Sequence, residues 1–228
     1  MSPFLKTNGK HRTLEGWPFV FTVLTTLAIL IGGTVEFLPL VLMESNIPRI
    51  ETVTPYTPLE VMGRDLYIRE GCVGCHSQQV RPFRDEMERY GEYSKPGEHV
   101  YDHPFLWGSK RTGPDLHRVG GKYPDLWHVR HMENPRSTSP NSLMPPYDWL
   151  LSDEYDAESI PARLRALRKV GVPYSDSEID NAVALARDQA NGIAAGVVAS
   201  GGPENLEDKE IVALVAYLQR LGTDISAR

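Results

Sequence analysis

The sequence predicts a mainly α-helical fold, in which one N-terminal membrane-spanning helix precedes a helical domain. One observation is that residues 17–35 contain no charged side chain. At about 1.5 Å per residue this segment forms a rod of roughly 28 Å, close to the hydrocarbon thickness of a bilayer. The other observation is the helical spacing of apolar residues in several later segments, while no segment alternates convincingly as strands do.

The apolar run continues to Met43 and predicts a transmembrane anchor over residues 17–43. Trp17 suits the membrane interface, and Pro18 suits the first turn of a helix. A cleaved signal peptide fits less well, because its apolar region spans only about 7–15 residues and ends at a small-residue cleavage site. We interpret Glu36 as the interfacial end of the span, with contact to a partner membrane protein as the alternative.

Charge predicts the orientation of the anchor and excludes one class of partner. Three basic residues and one acidic residue precede the span, so the positive-inside rule places residues 1–16 in the cytoplasm and everything after Met43 outside it. The net charge of the chain is −6. Nucleic-acid binding is therefore not expected, because it requires a basic surface.

Beyond the anchor we expect a proline-rich linker over residues 44–58 and a helical domain over residues 59–228. The linker has no helical period, which indicates an extended segment. Residues 84–147 also lack clear periodicity, and such a length of irregular chain is uncommon unless it wraps something. Asn205 is the expected cap of the last helix, and Gly222 its expected stop. Helices are expected over residues 59–70, 158–170, about 176–198 and 206–221.

Both cysteines of the chain lie in one motif, Cys72-Val73-Gly74-Cys75-His76. C-x-x-C-H is the attachment signal for a c-type haem, since two thiols at this spacing bind the two vinyl groups and the histidine then lies under the iron. A structural zinc site requires four ligands, and the sequence has no second cysteine pair. A thioredoxin-like pair requires a βαβ context, and a dinuclear copper centre requires cysteines four residues apart. We therefore expect one haem c.

The second axial ligand of the iron is expected to be Met144, which lies 68 residues after His76 in a segment bounded by prolines. Such a segment presents a thioether from a loop, and methionine ligation raises the haem potential. Met132 is the alternative methionine, whereas Met62 and Met87 are more simply explained as core or helix-face residues. Histidines that compete for the same position are His99, His103, His117, His128 and His131.

Several strings together resemble a known family. CVGCH, TGPDLHRVGG, NPR followed by LMPPY, and LVAYLQRLG are similar to class I cytochromes c. More narrowly, the anchor, CHSQQVRPFRDE, YGEYSKPGE, WGSKRTGPDL and MPPYDWL resemble the membrane-anchored mono-haem subunit, subunit II, of cbb3-type haem–copper cytochrome c oxidases. The resemblance covers nearly the whole chain, and CHSQQVRPF and KRTGPDL are its most specific strings.

The resemblance implies roles for individual residues. The carbonyl of Pro114 accepts a hydrogen bond from the imidazole of His76, which orients the ring and makes it more basic. Leu116 packs on the haem, and Met144 is the distal ligand. The first helix of the domain, through Gly63 and Tyr67, crosses the last one near Leu214 and Tyr217. Residues about 148–203 are an insertion relative to a small class I cytochrome. The candidate haem-pocket side chains are Arg111, as a propionate partner, Trp127 and Arg136.

The resemblance also implies a function and a place in the cell. The chain is expected to pass single electrons from a dihaem cytochrome c subunit to the catalytic subunit that reduces oxygen, without catalysing a reaction itself. It is expected to span the bacterial inner membrane once, with its haem domain in the periplasm. The alternatives are an anchored mono-haem cytochrome of another reductase, such as a nitric oxide reductase, and a haem-based sensor with an open axial position.

Overall fold

The computed structural model describes residues 14–43 and 49–225. The chain divides into two compact units, Met1–Pro48 and Arg49–Arg228. The division falls within residues 44–58, the predicted linker. The first unit contains the apolar segment, and the second contains the C-x-x-C-H motif.

Helix α1 spans Pro18–Leu42. It covers almost all of residues 17–43, the segment predicted to cross the membrane. Trp17 is its N-cap and Pro18 opens its first turn, where a missing backbone N–H costs nothing. Residues Pro18–Leu40 are long and apolar enough to span a bilayer, and none of the most apolar stretch is buried within the unit. Glu36 lies within Pro18–Leu40, about one turn before Leu40.

The second unit is built of helices, and within residues 49–225 the only β pairing is an isolated bridge between Glu154 and Lys209. The prediction of a mainly α-helical fold is confirmed. The α-helices are α2 Pro58–Arg69, α3 Arg84–Tyr90, α4 Asp125–Glu133, α5 Pro135–Thr138, α6 Ile160–Lys169, α7 Asp176–Asp180, α8 Ala182–Ala199 and α9 Glu210–Arg220. Short 3₁₀ turns occupy Cys72–Gly74, Pro96–His99, Asp148–Leu151 and Ala157–Ser159.

The crossing of α2 and α9 forms the centre of the second unit. Gly63 lies so close to α9 that a Cβ atom there would come within 3.0 Å of the Ala213 carbonyl group and of Tyr217 Cβ. One turn further along α2, the ring centroids of Tyr67 and Tyr217 are 5.5 Å apart. Both tyrosines are almost fully buried. The contact predicted from the first and last helices is therefore present, and glycine is what permits the close approach.

Residues 84–147 are less irregular than expected, because they contain α3, α4 and α5. In α4 the apolar residues Leu126, Val129 and Met132 are buried at a spacing of three, which is a helical repeat. A polar residue, His128, is buried beside them. This mixture of aromatic and polar residues conceals the helical pattern in the sequence.

The last helix begins later than predicted. It starts at Glu210 with Lys209 as its N-cap, rather than at Leu206 with Asn205 as its cap. Asn205 instead adopts a left-handed backbone with φ 60°, a conformation that asparagine tolerates. The expected helix over about 176–198 is likewise divided into α7 and α8 at Asn181.

The predicted insertion packs against α2 and the segment that precedes it. Arg163 of α6 forms an ion pair with Asp65 of α2. The side chain of Gln189 on α8 accepts a hydrogen bond of 2.7 Å from the Thr57 hydroxyl, which also caps α2. The Tyr174 hydroxyl donates to the carbonyl of Tyr56 at 2.7 Å. The last residues of the predicted linker are thus held by the helical unit.

Candidate haem site

The C-x-x-C-H motif forms a tight turn directly after α2. Gly71 adopts φ 72°, a backbone that favours glycine, and a single 3₁₀ turn over Cys72–Gly74 follows. The backbone N–H groups of Cys75 and His76 both donate to the carbonyl of Cys72, at 3.1 and 2.9 Å. This turn brings the two thiol-bearing residues and the histidine close together at the end of one helix.

Both thiols are free and at least partly accessible. Burial, and then the nearby carboxylate of Glu70, raises the pKa of the Cys72 thiol to about 12. A redox-active cysteine pair normally depends on a thiol of depressed pKa. The electrostatics of Cys72 therefore disfavour the thioredoxin-like interpretation of this motif.

The imidazole of His76 is fixed from one side by the segment around Pro114. Its Nδ1 donates to the Pro114 carbonyl oxygen at 2.8 Å. Burial lowers the pKa of His76 below its ordinary value of 6.5, so the ring is neutral at pH 7. Within the described residues His76 Nε2 has no hydrogen bond. A neutral ring with Nδ1–H engaged has its lone pair on Nε2, the arrangement required of a metal ligand.

Gly113 allows this arrangement, because its backbone lies against the imidazole ring. A Cβ atom at Gly113 would come within 3.0 Å of three atoms of the His76 ring. The backbone N–H of Gly113 also donates to the Cys75 carbonyl at 3.1 Å, and that of Leu116 donates to the Ser77 carbonyl at 2.9 Å. The TGPDL string is thereby joined to the motif on both sides of Pro114.

Met144 lies half-buried against the hydrophobic core of the unit. Its segment returns to the end of α4, where the backbone N–H of Tyr147 donates to the Met132 carbonyl at 2.7 Å. The pKa of Tyr147 is raised by burial and then by the charges of Cys72 and Cys75, which places this segment near the motif. Met132 itself is buried in the core. The thioether of Met144 is thus the more available of the two.

Three of the competing histidines are either held by other side chains or exposed. The Nδ1 of His99 donates to Asp102 at 2.7 Å, and Nδ1 of His117 is hydrogen-bonded to the Ser94 hydroxyl. The rings of His99 and His117 lie 4.5 Å apart in one buried cluster. His103 is exposed at the surface.

The other two competing histidines are on α4. Burial, and then the positive charge that His76 carries when protonated, lowers the pKa of His131. The two rings are therefore near each other. His131 Nδ1 is hydrogen-bonded to the Thr138 hydroxyl at 2.7 Å. His128 is almost completely buried, and its Nε2 has no partner within the described residues. A buried polar atom without a partner costs about 1–3 kcal/mol.

Trp127 lies in a stack of three rings, of which Tyr123 precedes α4 and His131 lies on it. Its ring is nearly parallel to that of Tyr123, with centroids 4.0 Å apart, and to that of His131, with centroids 4.6 Å apart. Stacking of this kind contributes about 0.5–1.5 kcal/mol per pair beyond burial. The stack fixes Trp127 and His131 on the same face of the helix.

The two arginines proposed for the haem pocket lie in different surroundings. Arg111 forms an ion pair with Glu86 at 2.7 Å and donates to the Gln79 carbonyl, so its guanidinium already has protein partners. Arg136 is exposed. Their contact with a propionate remains a prediction. The structure groups His76 with Pro114 and Leu116, and does not group Arg136 with them.

Residue-by-residue reasoning from the sequence missed Gly113, and it named His128 and His131 only as competing ligands. The TGPDL string contained the signal for Gly113. A glycine directly before a proline whose carbonyl binds a ring indicates that the backbone approaches that ring closely. No sequence signal distinguished the two histidines of α4 from surface residues, because their surroundings depend on the tertiary fold.

These residues fit a haem attached through cysteine. The donor set combines two free thiols, a neutral imidazole with an open Nε2 and a half-buried thioether, as c-type haem requires. Across residues 14–43 and 49–225 no group of three or more His, Cys, Asp or Glu side chains is arranged to hold a metal ion. A structural zinc site is therefore not supported within those residues.

Comparison with known proteins identifies the family of the chain. A search of curated proteins finds no match. A family model described as "Cytochrome C oxidase, mono-heme subunit/FixO" matches residues 11–225, which include α1, the C-x-x-C-H motif, the Met144 segment and α9. The chain therefore belongs to the mono-haem subunit family of cytochrome c oxidase, the family to which its motifs pointed.

Proposed function

We propose that the chain is the electron-transfer subunit of a cbb3-type oxidase and carries one covalently attached haem c. The observation that carries this proposal is the His76–Pro114 hydrogen bond at 2.8 Å, which leaves Nε2 open immediately after a C-x-x-C motif. Family membership supports a mono-haem subunit of a cytochrome c oxidase. The haem, when bound, supplies a centre that accepts and releases one electron.

In this proposal Cys72 and Cys75 form thioethers to the haem, and His76 and Met144 bind its iron. Pro114 holds the proximal ring in one tautomer, and Leu116 packs against the porphyrin. A haem held by both His76 and Met144 would have no iron position left for oxygen or another substrate. The residues of this chain thus hold the haem and exclude water from it, and they do not catalyse oxygen reduction.

The anchor sets the place of the chain in the cell. In the proposal α1 crosses the inner membrane once with residues 1–16 in the cytoplasm, because basic residues dominate that flank. The anchor covers residues 17–43 and the linker residues 44–58, and residues 59–228 lie in the periplasm with their insertion at about 148–203. Electrons then arrive from a dihaem cytochrome c subunit and leave for the catalytic haem–copper subunit.

Extraction of the complex from membranes in mild detergent, through an affinity tag on this chain, tests the proposal. We expect haem–copper oxidase activity to co-purify with the chain, and the reduced spectrum of its haem to be unchanged by carbon monoxide. Isolation with a nitric oxide reductase, or a haem c band that shifts with carbon monoxide, would contradict the proposed subunit role.

A further inference from the structure

The buried imidazole of His128 is not used by the proposed attachment and ligation of the haem. Its side chain is only 2% exposed. Its Nε2 makes no hydrogen bond in the part of the chain that the structure describes. Buried polar atoms in native proteins nearly always have a partner, so this nitrogen indicates a group that the described residues do not supply.

The His128 ring is held in a defined orientation. The Trp127 ring meets it nearly at a right angle, 89° between planes, with centroids 5.3 Å apart. The Tyr123 ring does the same at 83° and 6.2 Å. Because Trp127 is itself held in a stack with Tyr123 and His131, the His128 ring is restrained by two aromatic neighbours.

The position of α4 relates this nitrogen to the candidate haem site. His131 follows His128 by three residues, so the two lie on the same side of the helix, and His131 is near His76. At its C-terminal end α4 binds the segment that contains Met144, through the Tyr147–Met132 hydrogen bond. One helix therefore lies near His76 and is hydrogen-bonded to the segment that contains Met144.

Two other buried nitrogens lack partners within the described residues, His99 Nε2 and Trp107 Nε1. These rings pack edge to face against each other, with centroids 5.3 Å apart. The other ring nitrogen of His99, Nδ1, donates a hydrogen bond to Asp102. They belong to the ring cluster that contains His117, whereas His128 shares its helix with His131, a neighbour of His76.

We propose that His128 donates a hydrogen bond from Nε2 to a carboxylate of the bound haem. The inference rests on the proposed haem binding and adds a propionate partner on α4 to the predicted pocket. Burial, and then the charge of His131, lowers the pKa of His128 to about 4, so the ring is neutral at pH 7 and has one N–H to donate. That N–H offsets part of the negative charge of the propionate, which favours the reduced haem.

The test compares His128→Leu, which removes the donor, with His128→Gln, which keeps an N–H donor at similar reach. Both are measured in the full-length chain purified within its complex, with exposed His103→Leu as the control. Resonance Raman spectra report the propionate bending band, and redox titration reports the midpoint potential. Haem content is determined first for every variant.

We expect His128→Leu to shift the propionate band and to lower the midpoint potential, while His128→Gln and His103→Leu remain close to the parent protein. If the leucine variant does not retain haem, His128→Asn replaces it. The asparagine amide is shorter and should not reach the propionate. His128→Asn should therefore shift the propionate bending band, whereas His128→Gln should not.

A parent-like band and potential in every His128 variant that retains haem would overturn the inference and leave the proposed function intact. A loss of axial ligation on replacing His128 would also overturn it, because His128 would then bind the iron. An absence of haem from the parent protein would instead contradict the proposed function.

Discussion

His76 and Pro114 are joined by a hydrogen bond of 2.8 Å from the imidazole Nδ1 to the backbone carbonyl. A backbone acceptor keeps this tautomer at any pH at which the ring stays neutral, whereas a carboxylate partner would add a second titrating group. The bond requires Gly113, since no side chain fits between the backbone and the ring.

Replacement of Gly113 by alanine should displace the His76 ring. A Cβ atom would lie within 3.0 Å of three ring atoms, and overpacking of this kind typically costs 1–3 kcal/mol. We expect lower haem occupancy and an altered low-spin spectrum, measured by absorption of the purified chain. Gly192→Ala on α8 is the matched control, because no atom lies within 4 Å of its added Cβ. Equal haem content and spectra in the two variants would disprove the contact.

Gly63→Ala should destabilise the domain without touching the haem ligands. Its Cβ would clash with the Ala213 carbonyl group of α9, which forces the two helices apart at a cost of about 1–3 kcal/mol. Denaturant unfolding of the detergent-purified holoprotein, followed by haem absorption, measures the loss. In Gly196→Ala the nearest atom to the added Cβ is 3.9 Å away, and that variant should be at least as stable as the parent. A Gly63→Ala variant with the same unfolding midpoint as the parent would contradict this prediction.

The two candidate methionine ligands can be distinguished by their spectra. Met144→Ala should abolish the weak long-wavelength band that sulfur ligation gives to ferric haem, because the thioether is lost. Met132→Ala should retain that band and lower stability by about 2–5 kcal/mol, as expected for a buried methionine. Retention of the band in Met144→Ala with its loss in Met132→Ala would assign the ligand to Met132 instead.

Acid should destabilise the domain partly through His117. Burial, and then the positive charges of His99 and Arg118, holds its pKa well below the ordinary value of 6.5. Below pH 6.5 the unfolded chain therefore binds a proton that the folded chain does not, so stability falls as pH is lowered. His117→Gln should reduce this slope by up to about 1.4 kcal/mol per pH unit. Denaturant unfolding between pH 5 and 8 measures it.

The exposed His103 provides the control for that pH series. His103→Gln should leave the slope unchanged, because the His103 side chain is exposed at the surface. If His117→Gln and His103→Gln give the parent slope, the buried His117 is not the source of the acid sensitivity.

Some features of the structure could be predicted because they depend on neighbours in sequence. The uncharged segment predicted α1, since a membrane span must be predominantly apolar whatever lies around it. Gly63 and Tyr67 indicated the crossing with α9 only through the family resemblance. The C-x-x-C-H turn and the TGPDL string indicated the His76–Pro114 contact through family resemblance, and the structure contains that hydrogen bond.

Other features depended on tertiary packing and were missed. The buried face of α4 includes His128 among apolar residues, so a hydrophobic pattern alone does not reveal the helix. Asn205 is a favourable capping residue by type, yet its left-handed backbone belongs to the turn before α9. The surroundings of Arg111 likewise depend on Glu86, which lies 25 residues away in sequence.

The intact mass of the purified, denatured chain tests the central claim most directly. We expect the mass of the polypeptide plus one haem, because thioether bonds survive denaturation, and we expect Cys72→Ser to lose the stable folded chain. A parent chain that weighs no more than its amino acids, or a folded Cys72→Ser protein without haem, would contradict the account.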